Sequence, residues 1–509
     1  MQRLSSIYVA LLISVFVLAF PPNGYMGMDE FRYGLFLLIC GGYSVAVIVI
    51  RAQLALTGIH PIRKPAKHSG RLGLLSKAAG EAPIAAKLIL LFMLFTVLSA
   101  ALSDYPRTFI GAFRKEGVLT IAIYALSCIF LSKLFRPGKW MLFLLGASTV
   151  AFCIIPFIQL TGANPFSLYP AGYNYYDAGV YYPGRYLGAI GNVGLVAAFL
   201  SIAIGLFAMA IIKLDFKERW LLAIPLFLAV FLMFAMAVDA GIAALAAGLT
   251  IMLPVAVTNH ISLSRTLFVF AIILAAYAMS GAVVFGDGRV SLSSARLMYL
   301  IATGLAAVAA AIVPACKPFA KIPAKWYKTG SVAAAVLIIL AAALYLRLYS
   351  GESSGMVYEA SEILRGRWDD SFGTRRVYIW RNVLGGVGGN LLLGTGPDTL
   401  GYWAIEPFTR YSEELGTTLT TRIDAAHNEY LHILACVGLL PLLCYLGAIA
   451  STIFKWFRTS ENKLSAIAGA GTLFYSIQAF FGISMFITAP LFWAVLAVLI
   501  YSQNTRKER

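Results

Sequence analysis

The side chains able to do chemistry in this chain gather in four short clusters. One is Ala426-His427-Asn428-Glu429-Tyr430. The other three join arginine to glycine: Arg114-Lys115-Glu116-Gly117, then Arg185-Tyr186-Leu187-Gly188-Ala189-Ile190-Gly191-Asn192, then Arg375-Arg376 with Trp380 and the turn Gly394-Thr395-Gly396-Pro397-Asp398. A neutral imidazole can take a proton from a sugar hydroxyl near neutral pH, and Asp424 or Glu429 is close enough in sequence to orient His427. Guanidinium stays charged and grips phosphate oxygens through paired hydrogen bonds, so several on one wet surface above apolar walls suit a diphosphate. Taken singly, each arginine fits a lipid headgroup contact or surface ion pair equally well, and His427 fits a helix cap.

Metal chemistry has less to stand on. His432 follows His427 by five positions, which on a helix turns it roughly 140° away and rules out an i,i+4 metal couple. His60, His68 and His260 lie in basic connections. The cysteines Cys40, Cys128, Cys153, Cys316, Cys436 and Cys444 sit in or beside apolar segments without a CxxC pair and read as packing residues. No metal or cofactor is implied.

The elements that must carry these clusters are set by composition. Of 509 residues, 60% are hydrophobic and 12% charged, with a mean hydropathy of +0.81. A water-soluble fold carries about 25% charged residues, so lipid is the solvent for most of this chain. Apolar runs at 5–20, 33–50, 86–103, 117–135, 140–161, 190–212, 220–238, 241–258, 266–285, 297–315, 329–347, 428–451, 464–483 and 486–502 predict an all-α polytopic membrane protein of about 14 transmembrane helices. The first run ends in Pro21-Pro22-Asn23 without a small-x-small cleavage site and reads as an uncleaved helix.

With both termini in the cytoplasm, every lysine but Lys115 falls on the inner side, as the positive-inside rule requires. The net charge of +17 then needs no nucleic acid partner, and no basic stretch is interleaved with aromatics. The chain divides into helices 1–11 (1–348), a large extracytoplasmic loop (349–427) with short helices, and helices 12–14 with a cytoplasmic tail (428–509). The loop has arginines but no lysine and holds almost half of the acidic residues. Within it Val377, Trp380, Val383, Leu384 and Val387 share one helical face, ending at Gly385-Gly386. Asp239 is the main charge near mid-chain spans, too little for an ion-coupled pump.

His427-Asn428-Glu429-Tyr430-Leu431-His432-Ile433-Leu434 followed by Val437-Gly438-Leu439-Leu440 resembles the HN-x-x-L … G signature of the O-antigen ligase and O-antigen polymerase superfamily. Thr374-Arg375-Arg376 … Trp380 … Gly394-Thr395-Gly396-Pro397 is similar to its R … W … G-x-G-P stretch. Arg185 … Gly188 … Gly191-Asn192 is similar to its R … G-x-x-GN segment, and Arg114-Lys115-Glu116-Gly117 to its R-x-x-G loop. The resemblance implies a GT-C-like membrane fold and metal-independent, inverting glycosyl transfer at the outer face of the cytoplasmic membrane. The implied donor is a polyprenyl (undecaprenyl) diphosphate glycan, and the implied acceptor a glycan or glycolipid such as a lipopolysaccharide core.

It also implies His427 as catalytic base, with Arg114, Arg185, Asn192, Arg375, Arg376 and Asn428 binding substrate and Trp380, Asp424 and Glu429 in support. Where many members carry a Ser-Arg pair, this chain has Val238-Asp239-Ala240-Gly241 and lacks that phosphate contact. A lipid-linked glycan flippase and a scaffold of a glycan-assembly complex are the rival readings.

Overall fold

The computed structural model describes residues 1–57, 82–160, 163–169, 176–177, 180–181, 187–286, 289–292, 297–412, 417–459 and 461–504. These are overwhelmingly helical, with three short antiparallel hairpins: 176–177 with 180–181, 283–286 with 289–292, and 408–412 with 417–421. Ten helical stretches are long and apolar enough to cross a bilayer: Gly24–Leu56, Ile84–Ala101, Lys139–Leu160, Val193–Lys213, Lys217–Ala235, Asp239–Ala256, His260–Gly281, Met298–Ala315, Ala324–Leu348 and Leu439–Arg458. Shorter apolar helices, Gln2–Leu18, Val118–Leu134 and Ala489–Asn504, and the helix Lys463–Gln478 occupy the remaining apolar ranges. The chain is an all-α, multi-pass membrane protein.

The bundle is built around one helix. Val193–Lys213 is wholly enclosed, with 100% of its apolar window buried, so it is the axis on which the others pack. Its tightest neighbour is Lys463–Gln478. A side-chain carbon on Gly205 would sit 2.7 Å from the Ala470 carbonyl oxygen, and one on Gly471 would sit 2.9 Å from Leu206 Cδ2. Small residues let the two backbones close up where lipid offers no hydrophobic drive to association. Met298–Ala315 and Ala324–Leu348 are the opposite case, each with only 11% of its window buried, and turn leucines and isoleucines outward as lipid-facing helices do.

Local chemistry shifts three expected elements. The range 428–451 is two helices, Glu429–Cys436 and Leu439–Arg458, broken at Val437-Gly438. Gly438 has φ +96, a left-handed conformation open to glycine, and a Cβ there would lie 2.4 Å from the Leu392 carbonyl oxygen. The first helix breaks at Ser14, whose hydroxyl donates back to the Ala10 carbonyl at 2.5 Å. In the helix Phe372–Gly386, Val377, Val383 and the following Val387 are buried as the spacing requires, but Leu384 is 59% exposed and Ile379 takes the inward place. Gly373, Thr374 and Arg375 all have positive φ, so the regular helix starts at Arg376 and its face is rotated.

The segment 388–398 docks onto this break. The Gly396 N–H donates to the Cys436 carbonyl at 2.7 Å, and the Leu439 N–H donates to the Leu391 carbonyl at 2.8 Å. The glycine-rich turn thus supplies acceptors and donors to the helix ends left open at Gly438. Gly438→Ala is expected to cost about 2 kcal/mol through left-handed strain and the clash with Leu392. Thermal unfolding in detergent checks this: Tm falls by several degrees, whereas Gly330→Ala, in open space on Ala324–Leu348, leaves Tm unchanged or higher.

Candidate functional site

The site is assembled from three loops that meet beside the end of helix Lys463–Gln478. The first joins Ile84–Ala101 to Val118–Leu134 and carries Arg114. Its backbone is held by Asp398, whose Oδ2 accepts from the Phe113 N–H at 2.8 Å and the Arg114 N–H at 2.7 Å. Gly111, at φ +105, allows this approach, since a Cβ there would stand 2.6 Å from the same carboxylate oxygen. Asp398 is 2% exposed, and burial pushes its carboxyl up against the pull of the two backbone donors. With its backbone fixed, the Arg114 guanidinium reaches Asp424, Nη2 to Oδ1 at 2.6 Å.

Asp424 begins the second loop of the site, the approach to His427. The Trp380 indole N–H donates to the Ala426 carbonyl at 3.0 Å, immediately before the histidine. His427 itself has φ +48, a left-handed conformation costing a non-glycine residue about 1–3 kcal/mol. Asn428 then caps the helix Glu429–Cys436, its side chain accepting from the Leu431 N–H at 3.0 Å. His427 keeps partial exposure. Enclosure in protein lowers its pKa from 6.5 to about 3, and the nearby guanidiniums of Arg376 and Arg114 push in the same direction, against Asp424. The imidazole is therefore neutral, in a field of positive charge.

Arg376 is anchored at the third loop. Its Nη1 donates to the Gly373 carbonyl at 2.7 Å and meets Thr374 Oγ1 at 3.0 Å, wrapping the left-handed turn that precedes its helix. Arg375 takes another course, its guanidinium lying 4.9 Å from the Phe408 ring centre on the 408–421 hairpin. Of the two neighbouring arginines, Arg376 is the one whose charge acts on His427.

The other expected residues have structural work. Asn192 caps Val193–Lys213, accepting from the N–H groups of Gly194 at 2.9 Å and Leu195 at 3.2 Å. Glu429, an expected orienter of His427, is turned into the bundle, where the hydroxyls of Tyr445 and, at 2.9 Å, Tyr475 donate to its carboxylate. Its own N–H donates to the Ala479 carbonyl at 2.9 Å, pinning the site to the end of Lys463–Gln478. Asp424 is thus the carboxylate on the histidine side. Arg185 lies outside the described residues.

Two residues enter that spacing did not single out. Asp398 was visible only as the last residue of the Gly-x-Gly-Pro-Asp turn, and nothing in the linear pattern ties it to position 114. Arg422 donates from Nε to the Gly401 carbonyl at 2.7 Å and lies 4.7 Å from the Phe113 ring centre, bracing the same loop from the other side. Among the described residues, no group of three or more His, Cys, Asp or Glu side chains could hold a metal ion. The arrangement can bind an anion between Arg114 and Arg376 and accept a proton at His427. Compared with known proteins, the chain matches no family model and none of the curated sequences.

Asp398→Ala removes the one oxygen that accepts from both N–H groups of the Arg114 loop and is expected to cost about 2–3 kcal/mol. Hydrogen exchange reads this locally: amides of 109–116 exchange faster in the variant, while those of Val193–Lys213 stay protected.

Proposed function

We propose that this protein transfers a glycan from a polyprenyl diphosphate carrier to a sugar hydroxyl, in the manner of O-antigen ligases and polymerases. The observation that carries the reading is the convergence of Arg114, Arg376, Asp424 and His427, from three separate stretches of chain, at one end of an apolar bundle. The short motifs shared with that superfamily support it. In this reading all fourteen apolar helices cross the cytoplasmic membrane, GT-C-like, with both termini inside and residues 349–427 outside.

The chemistry follows from the charges. The donor's diphosphate, dianionic or more, displaces the Asp424 carboxylate from Arg114 and lies between Arg114 and Arg376. Guanidiniums there stabilise the charge that grows on the leaving phosphate oxygen. The acceptor hydroxyl attacks the anomeric carbon from the opposite face. A new C–O glycosidic bond forms, the bond to the diphosphate breaks with inversion, and the hydroxyl proton passes to His427.

The low pKa of the free imidazole fits this order of events. Alone among cations it is a weak base. Once the diphosphate neutralises Arg376 and Arg114, its basicity rises, so the base is armed by donor binding. Which acceptor is used, a lipid-anchored core or a second carrier-linked repeat, separates a ligase from a polymerase.

His427→Ala is expected to lower transfer by about a hundredfold or more with membrane insertion intact. This is read in proteoliposomes from glycan moved between labelled donor and acceptor. Translocation of the donor without any new glycosidic bond would instead make the protein a flippase. A second expectation concerns pH. Because free His427 titrates near 3, kcat/KM for the donor stays level as pH falls through about 6.5, where an ordinary histidine would be half protonated. Arg376→Gln removes a repelling cation, raises the His427 pKa and moves the acid limb to higher pH. A limb near the ordinary histidine value, unchanged in the variant, would count against His427 as the base.

A further inference from the structure

A second recess opens at the other end of the bundle from His427. Its walls come from the first helix, the start of Lys139–Leu160, the axial helix Val193–Lys213, the start of Lys463–Gln478 and the helix Ala489–Asn504, and it encloses about 280 Å³. The helix Lys463–Gln478 measures the separation. Its first turn borders the recess, and just past its last turn Ala479 accepts from Glu429 beside the His427 site. Sixteen residues at about 1.5 Å each place the two about 24 Å apart, most of the thickness of a hydrocarbon core.

The lining has two parts. Phe199, Ile202, Leu206 and Ile467 form a buried hydrocarbon wall that runs along the axial helix toward mid-bundle. Lys139 and Lys463 line the same recess and are exposed. Asp215 is shared between Lys463 and Arg265, the latter at 3.2 Å. Lys139 makes no ion pair among the described residues and rests its ammonium 4.4 Å from the centre of the Phe216 ring. An apolar slot with ammonium groups at its rim is complementary to a molecule with a hydrocarbon tail and an anionic head. It offers a soluble anion no use for the wall, and a neutral lipid no use for the lysines.

We infer that this recess binds one acyl chain of an anionic glycerophospholipid, with the lipid phosphate on Lys139 and Lys463. The inference is independent of the glycosyl-transfer reading. It concerns the lysine-bearing end of the bundle and a resident lipid, and it gives the short first helix, Gln2–Leu18, a hydrocarbon partner against the axial helix.

The test uses the full chain in nanodiscs containing phosphatidylglycerol or phosphatidylcholine with a diazirine near the acyl terminus. After photolysis, label from phosphatidylglycerol is expected in the peptide covering 199–206. Lys139→Glu, a change at an exposed side chain, lowers that labelling about fivefold. Ala203→Trp, which fills the slot, lowers it for both lipids. Equal labelling by the two lipids in the wild type, or no change in Lys139→Glu, would overturn the inference. So would displacement of the label by a polyprenyl phosphate but not by unlabelled phosphatidylglycerol.

Discussion

Asp398 accepts two backbone N–H groups from residues 285 and 284 positions earlier in the chain, and the candidate site is arranged around that contact. The carboxylate sits at the end of a glycine-rich turn, and the turn is stitched to the carbonyls exposed where the helix breaks at Gly438. One buried acid therefore links the Arg114 loop, the glycine-rich turn of the 349–427 segment and the helix that follows His427. Without it the N–H groups of Phe113 and Arg114 would lose their acceptor, and the Arg114 to Asp424 pair would not make up for that, since a surface guanidinium–carboxylate pair contributes only about 1 kcal/mol. With it, the Arg114 to Asp424 pair is the consequence of a fixed backbone.

The same construction sets the electrostatics. Trp380 and Asn428 hold the chain on either side of His427 by hydrogen bonds to backbone, so the imidazole is positioned without spending its own donors and acceptors on structure. Burial and two guanidiniums keep it unprotonated, and left-handed strain at φ +48 persists because its neighbours are held so firmly. A site that concentrates positive charge around a neutral base is mismatched to itself and matched to an anion. That mismatch is what a leaving diphosphate would relieve.

How much of this was legible in the linear sequence depends on distance along the chain. The helices were legible, because lipid imposes apolar runs of fixed length. The break at Gly438 was not, since a glycine in an apolar run also occurs in unbroken membrane helices. Its meaning comes from Leu392, which the linear pattern cannot place. His427, Arg114, Asp424 and Arg376 were all singled out by residue type, but the choice of Arg376 over Arg375 needed the left-handed turn at 373–375. The choice between Asp424 and Glu429 as the carboxylate beside His427 likewise needed the fold. The proximity of Glu429 in sequence suggested partnership with His427, yet the helix start turns its side chain toward Tyr445 and Tyr475. Asp398 and Arg422 act on backbone far away in sequence, a kind of contact that leaves no local pattern.

The claim on which the functional account turns is that Arg114 and Arg376 bind a diphosphate beside a neutral His427. A cryo-electron microscopy structure with a non-transferable polyprenyl diphosphate glycan bound tests it directly. The account predicts phosphate density between the two guanidiniums, Asp424 released from Arg114, and the glycan's anomeric carbon facing the His427 imidazole. Density for the diphosphate at the lysine-bearing end, or an Arg114 still paired with Asp424 while the donor sits elsewhere, would contradict it.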